Sequence, residues 1–176
     1  TILGVAADGI GTKLDIANDY NMLETIGIDL VAMNVNDLIA CGITPLFFLD
    51  YIAIDKMDVK KCNKILVGIK EGCKIANCEL VGGETAEMNG IYFNNKFDVA
   101  GFAIGGVSPR ETTLLPKKDL MDENCVIYGL KSNGIHSNGY TLVRKLLKYH
   151  SFNIGTILKP TIIYTQVLDM LADYPD

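Results

Sequence analysis

The chain is poor in the residues that build zinc clusters and disulfide frameworks. Its 176 residues include two histidines, His136 and His150, which leaves a zinc site few ligands to draw on. The five cysteines (Cys41, Cys62, Cys73, Cys78 and Cys125) are odd in number and form no C-x-x-C pair. They read as free thiols, several of them small buried hydrophobes, in a reducing cytoplasm. No N-x-[ST] sequon, internal repeat or low-complexity stretch occurs. A surplus of positive charge is also missing: 16 Lys and Arg face 21 Asp and Glu, a net charge of −5, so nucleic acid is not an expected partner. The longest apolar run, residues 45–54, is interrupted by Asp50 and is too short to span a bilayer. The first residues read as a strand rather than a signal peptide. What the chain does have is apolar bulk, 49% of residues, with 21% charged, ample for a packed core and too apolar for a disordered tail.

The pattern along the chain alternates strands and helices. Residues 2–6 form an apolar strand that enters a glycine loop, A-D-G-I-G-T-K. Asn21 followed by Glu24 resembles a capping box opening a helix to about Cys41, with Ile28, Val31, Ala32, Val35, Leu38 and Ile39 on one buried stripe. Gly42 and Pro45 stop it. Residues 46–54 read as a strand buried on both faces. Asp58 caps a second helix, which buries Cys62, Leu66, Ile69, Cys73 and Ala76 and ends at Asn77. A short strand, 79–81, feeds a turn G-G-E-T-A-E-M, and a long strand spans 97–107, where small residues suit close approach by another backbone. Residues 109–123 read as a polar linker. Beyond it come a strand over 125–130, a loop K-S-N-G-I-H-S-N-G, a helix to about His150 and a last helix over 162–173. The expected fold is α+β: an amino-terminal mixed sheet with helices on one face, residues 1–115, followed by the start of a second α/β domain, residues 124–176. So little sheet in the last fifty residues suggests truncation at the carboxy-terminal end.

No Walker motif and no G-x-G-x-x-G after a strand is present. Instead, turns and a helix carry carboxylates: Asp8-Gly9, Gly83-Glu84 and Asn36-Asp37. Each alone reads as an ordinary turn or surface residue. Together, carboxylates at the ends of strands and helices can hold a hard divalent ion that shares phosphate oxygens. Without a metal, each such charge facing a triphosphate is repelled by about 4 kcal/mol at 4 Å with moderate screening. Lys13 and the amides of the Gly9–Gly11 loop would supply the positive side. The loop at Ser132, His136, Ser137 and Asn138 joins a strand to a helix start, which favours an anion. There His136 is either a surface loop histidine or a proton carrier near neutral pH.

Taken together, D-G-I-G-T-K-L, T-I-G-I-D-L-V-A-M-N-V-N-D-L, P-L-F-F-L-D-Y, G-G-E-T-A-E-M and G-I-H-S-N-G-Y resemble the aminoimidazole ribonucleotide synthetase, or phosphoribosylformylglycinamidine cyclo-ligase, family in order and spacing. The resemblance implies a ligase of de novo purine synthesis. ATP phosphorylates the formyl oxygen of formylglycinamidine ribonucleotide, the amidine nitrogen attacks that carbon, and phosphate leaves as the imidazole ring closes. By matching position, Asp8, Thr12, Lys13, Asn36, Glu84 and Thr85 would bind ATP, and Asp8, Asp37 and Glu84 would hold Mg²⁺. Ser132, Ser137 and Asn138 would face the formylglycinamidine substrate, with His136 catalytic. The resemblance also implies a cytoplasmic homodimer in which two amino-terminal sheets close a shared barrel, so the sheet here is half of a dimeric barrel.

Asn89 replaces the usual proline after G-G-E-T-A-E-M, and Ile43 stands where a small residue is usual. The family's upstream glycine-rich segment with its ATP-binding lysine, and most of its second domain, lie outside this chain, so the piece alone is expected to be poorly active. The alternatives are a sister enzyme, of the selenophosphate synthetase, thiamine-phosphate kinase or hydrogenase-maturation type, or a non-catalytic dimerisation module. The expected partners are small molecules and a second copy, with no membrane.

Overall fold

The computed structural model describes residues 2–107, 119 and 121–173. Four strands, β1 (Ile2–Gly9), β2 (Thr44–Ile54), β3 (Glu79–Glu87) and β4 (Phe97–Val107), form one sheet in the order β1-β4-β2-β3. β4 pairs antiparallel with both β1 and β2, and β2 pairs parallel with β3, so the sheet is mixed, as expected. The parallel pair requires a crossover, supplied by α3 (Val59–Ala76). Helices α1 (Lys13–Asp19) and α2 (Ile26–Ala40) lie between β1 and β2 in sequence. Helices α4 (Tyr140–Leu146), α5 (Ile154–Ile157) and α6 (Gln166–Asp173) follow the sheet.

α2 and α3 cover one face of the sheet. From α2, Leu30, Val31, Ala32, Val35, Leu38 and Ile39 are buried, and from α3, Cys62, Ile65, Ile69, Cys73 and Ala76. Alternate residues of the two central strands meet them: Phe48, Ile52 and Ile54 on β2, and Phe97, Val99 and Ala103 on β4. The two helices cross at backbone distance, because Gly27 on α2 lies against Gly68 and its neighbours on α3. α3 starts and stops as its sequence indicates. The Asp58 carboxylate accepts from the Lys61 N–H at 3.0 Å, and Asn77 adopts the left-handed conformation that ends the helix.

Five local expectations are corrected. The Asn21–Glu24 capping box does not open α2; the helix starts at Ile26 after Thr25, which makes no side-chain cap. Much of the two glycine motifs is strand: β1 continues through Asp8 to Gly9, and G-G-E-T-A-E lies in β3, because both runs find ladder partners on β4 and β2. β2 is not buried on both faces, for Leu46 and Phe47 are exposed on the side away from the helices. Residues 125–130 pair with no strand among the described residues, and Val126, Ile127 and Tyr128 are exposed. The last helix is Gln166–Asp173, shorter at its start than residue 162. The 109–123 linker and the domain boundary at 115 lie largely outside the described residues. Among those residues, no helix is long and apolar enough to cross a membrane.

Candidate functional site

The best-defined polar cluster sits where α1 and α2 meet the segment after the sheet. Lys13, the first residue of α1, is fully buried and forms a salt bridge with the equally buried Asp29 of α2, Nζ to Oδ2 2.8 Å. The same ammonium donates to Asp29 Oδ1 at 2.9 Å, to the His136 carbonyl at 2.8 Å and to the Lys159 carbonyl at 2.7 Å. Asp29 Oδ1 also accepts the Ser137 hydroxyl at 2.9 Å, and the Thr161 N–H and hydroxyl at 2.7 Å each. Burial lowers the Lys13 pKa, and the neighbouring Asp29 carboxylate opposes that shift. Tyr140, which starts α4, closes the cluster: its ring lies 5.4 Å from the Lys13 nitrogen, and its hydroxyl donates to the Ile157 carbonyl. Burial and the Asp29 charge push the Tyr140 phenol up to about 12.

Lys13 was expected to face phosphate. Here its donors are spent inside the protein, on one carboxylate and two carbonyls, so it does not line an open anion site. Ser137 is likewise committed to Asp29 and to Thr161, 3.1 Å away, rather than to a substrate. Asn36 holds the 162–164 segment: its amide donates to the Ile162 carbonyl at 2.8 Å and its oxygen accepts the Tyr164 N–H at 3.0 Å. Its side chain too is taken up by protein contacts.

Asp8, Asp37 and Glu84 do not form one metal site within the chain. Asp8, Gly101, Asp50 and Gly83 form one row across the sheet, on the helix side, where Gly4, four residues before Asp8, meets Leu38 and Ile43. Glu84 follows Gly83, so strand alternation puts it on the opposite face. β1 and β3 are also the outer strands, about 14 Å apart at ~4.8 Å per strand spacing. Asp37 is exposed on α2. Among the described residues no three His, Cys, Asp or Glu side chains gather as a metal site. The Asp8 carboxylate accepts its neighbour's N–H, from Gly9 at 2.7 Å, and the Glu84 carboxylate that of Thr85 at 2.9 Å.

Thr12, Ser132 and Asn138 are exposed and remain available to ligands, whereas His136 is half-buried. Thr12 lies with its hydroxyl 3.4 Å from that of Thr141 on α4. Ser132 donates to the Gly134 carbonyl at 3.2 Å, and Asn138 is exposed. His136 adopts a left-handed backbone, φ 64°. Its Nε2 is buried without a hydrogen-bond partner, and its ring lies 6.1 Å from that of Tyr164.

Three residues went unrecognised in the sequence: Asp29, Asn34 and Asp50. Asn34 fastens α2 to the end of β1, donating to the Asp8 carbonyl at 3.3 Å. Asp50 is nine-tenths buried, and burial raises its pKa. It lines a cavity of about 460 Å³ with Leu66, Gly83, Glu84 and Thr85. For Asp29 and Asp50 the signal was present: each is the lone charge inside an apolar run, and such a charge needs a buried role.

Comparison with known proteins gives a consistent picture. Residues 2–107 match the family described as AIR synthase related protein, N-terminal domain. The phosphoribosylformylglycinamidine cyclo-ligase of Syntrophus aciditrophicus (strain SB) is 53% identical over 187 residues, covering 98% of this chain and 53% of that protein. The cyclo-ligase of Prochlorococcus marinus (strain MIT 9312) is 47% identical over 182 residues, 97% of this chain and 52% of that one. The chain thus spans about half the length of the curated relatives it matches. Among solved structures, thiamine monophosphate kinase from Aquifex aeolicus superposes with a TM-score of 0.64 at 18% identity, over 98% of this chain and 55% of that one. The hydrogenase maturation protein HypE of E. coli gives 0.65 at 13% identity, over 99% and 51%. At those identities the structural likeness speaks for the fold alone.

Proposed function

The chain belongs to the family of AIR synthase related proteins, and on that premise we propose that it works as part of a phosphoribosylformylglycinamidine cyclo-ligase. The reaction converts formylglycinamidine ribonucleotide and ATP to aminoimidazole ribonucleotide, ADP and phosphate, a step of purine biosynthesis. The γ-phosphoryl group moves to the formyl oxygen, the amidine nitrogen attacks the activated carbon, and phosphate departs. The protein's task is to align two anionic substrates and to exclude water while the phosphoryl group transfers. The observation that carries this reading is the 53% identity to the Syntrophus cyclo-ligase across 98% of the chain. The sister enzymes share the fold at 13–18% identity, and no feature of the site favours one of them.

In this proposal Asp8, Thr12, Glu84 and Thr85 remain candidates for the ATP side, Asp37 for a metal, and Ser132, Asn138 and His136 for the formylglycinamidine side. ATP use is part of the cyclo-ligase reading; AaThiL, which shares the fold, has been seen in complex with AMPPCP and TMP. Mg²⁺ fits the oxygen donors of Asp8 and Asp37 by chemistry, but Asp8, Asp37 and Glu84 do not fit as one set within a chain. A homodimer is proposed from the face of the sheet that α2 and α3 leave open. Leu3, Val5, Phe47 and Phe102 are exposed there, an apolar surface that a second copy's sheet would cover. Residues 124–176 are proposed as the start of a second domain, and the buried thiols of Cys62 and Cys73, joined in no disulfide, suit a cytoplasmic setting.

The test is ATP-dependent phosphate release by the intact protein that carries this chain, with and without formylglycinamidine ribonucleotide, beside an Asp8→Asn variant. Turnover that requires that substrate and collapses in the variant is expected. Release indifferent to the substrate would move the assignment to a sister enzyme.

A further inference from the structure

A buried ion pair is a weak source of stability compared with apolar side chains of the same volume. The fully buried Lys13–Asp29 pair therefore calls for an account in terms of the geometry it enforces. Both ends of that geometry converge on His136. Its left-handed backbone, φ 64°, is disfavoured for a residue with a Cβ and persists only where the surroundings impose it. Its carbonyl is held by the Lys13 ammonium at 2.8 Å, and the next side chain, Ser137, by Asp29 at 2.9 Å. The same two residues grip the facing segment through the Lys159 carbonyl and Thr161. That segment brings Tyr164 to 6.1 Å from the imidazole. One ion pair thus fixes both the turn that carries the imidazole and the wall it rests against, while Nε2 has no protein partner.

We propose that Lys13 and Asp29 are positioning residues for His136, holding its imidazole at the angle at which it meets the formylglycinamidine substrate. The proposal rests on the cyclo-ligase reading. Released from the pair, residue 136 would return to an ordinary backbone conformation and swing the ring off its line.

A double-mutant cycle on the intact protein tests this, using Lys13→Met, His136→Gln and the two combined. With His136 present, Lys13→Met is expected to lower kcat/KM by about 100-fold, the scale of an ångström of misplacement. In the His136→Gln background it should cost under about 3-fold, because the group it positions is gone. Equal losses in the two backgrounds would overturn the proposal, since a merely structural role is blind to residue 136. The ¹⁵N resonance of His136 Nε2 is the second readout: it should move in Lys13→Met, and an unmoved signal overturns positioning. If Lys13→Met does not fold, Thr161→Val, which removes one hydroxyl from Asp29 and leaves the pair, runs the same cycle with a smaller expected effect. A parent without formylglycinamidine-dependent turnover would sink the cyclo-ligase reading, and the Nε2 signal would then decide the positioning on its own.

Discussion

Replacing Gly27 with alanine should damage the fold more than a single methyl group ordinarily does. A Cβ at that position would lie 2.1 Å from the Ile69 nitrogen, 2.3 Å from the Ile65 oxygen and 2.4 Å from the Gly68 carbonyl carbon. Ordinary contacts need about 3.5 Å, so the backbones of α2 and α3 must part by more than an ångström. All three obstacles are main chain, and no rotamer change relieves them. A radial gap of 0.5–1 Å already forfeits roughly a quarter to a half of each dispersion contact, and α3 buries Ile65, Ile69 and Cys73 along that crossing. Overpacking a core costs about 1–3 kcal/mol, and a backbone collision belongs at or above the top of that range. Alanine recovers about 1 kcal/mol of helix propensity, leaving a net loss of about 2–3 kcal/mol. For a chain of this size that lowers the thermal midpoint by about 5–10 °C. Circular-dichroism melts and urea titrations of parent and variant read it directly. Gly129, with nothing within 4 Å of an added Cβ, is the control, and Gly129→Ala should be neutral or slightly stabilising. A Gly27→Ala protein that melts within a degree of its parent would refute the close crossing.

Asp50→Asn should stabilise the protein at pH 7.5, and the gain should shrink toward pH 4. Burial raises the folded-state pKa of Asp50, so the native form binds that proton more tightly than the unfolded one and the parent gains stability as pH falls through the raised value; urea midpoints of both proteins at the two pH values check the sign. Val5→Asp, on the open face of the sheet where Val5 is 77% exposed, should abolish a dimer and leave the monomer's melting point nearly unchanged; sedimentation of an unaltered dimer would remove the shared-sheet proposal. Lys13→Met should leave the ATP dissociation constant within about 3-fold of the parent, by calorimetry, because its donors face protein groups; loss of a direct phosphate contact would instead cost about 10-fold or more.

The long elements were legible because their signals are local. α3 has its Asp58 cap, a run of apolar residues at helical spacing and an asparagine stop, and β4 occupies the span its small and apolar residues indicated. The errors arose where structure depends on a distant partner. Gly82 and Gly83 read as a turn until β2 offers them a parallel ladder, and Asp8-Gly9 reads as a loop until β4 continues past it. Conversely, residues 125–130 have the composition of a strand, yet Ile127 is 96% exposed, since composition cannot supply the neighbour a strand must pair with. α1 was missed because seven residues carry little periodic signal, though Leu14, Ile16 and Ala17 are buried together.

The site was harder to read because a motif specifies residue types and not the direction in which they point. In D-G-I-G-T-K the carboxylate and the cation look like two halves of one phosphate site. The fold sends them apart: Asp8 is exposed at the end of β1, while Lys13 turns inward to an aspartate sixteen residues on. That separation changes the electrostatics of any triphosphate bound there. Asp8 would repel it by about 4 kcal/mol per charge pair at 4 Å with moderate screening, and no side-chain cation of the segment remains to offset that. Backbone amides alone carry fractional charge, and the Gly9 amide is already given to Asp8. ATP bound at the end of β1 therefore needs positive charge from outside that segment, from a divalent ion or from basic side chains elsewhere in the protein, and its affinity should follow that supply rather than the residue at position 13.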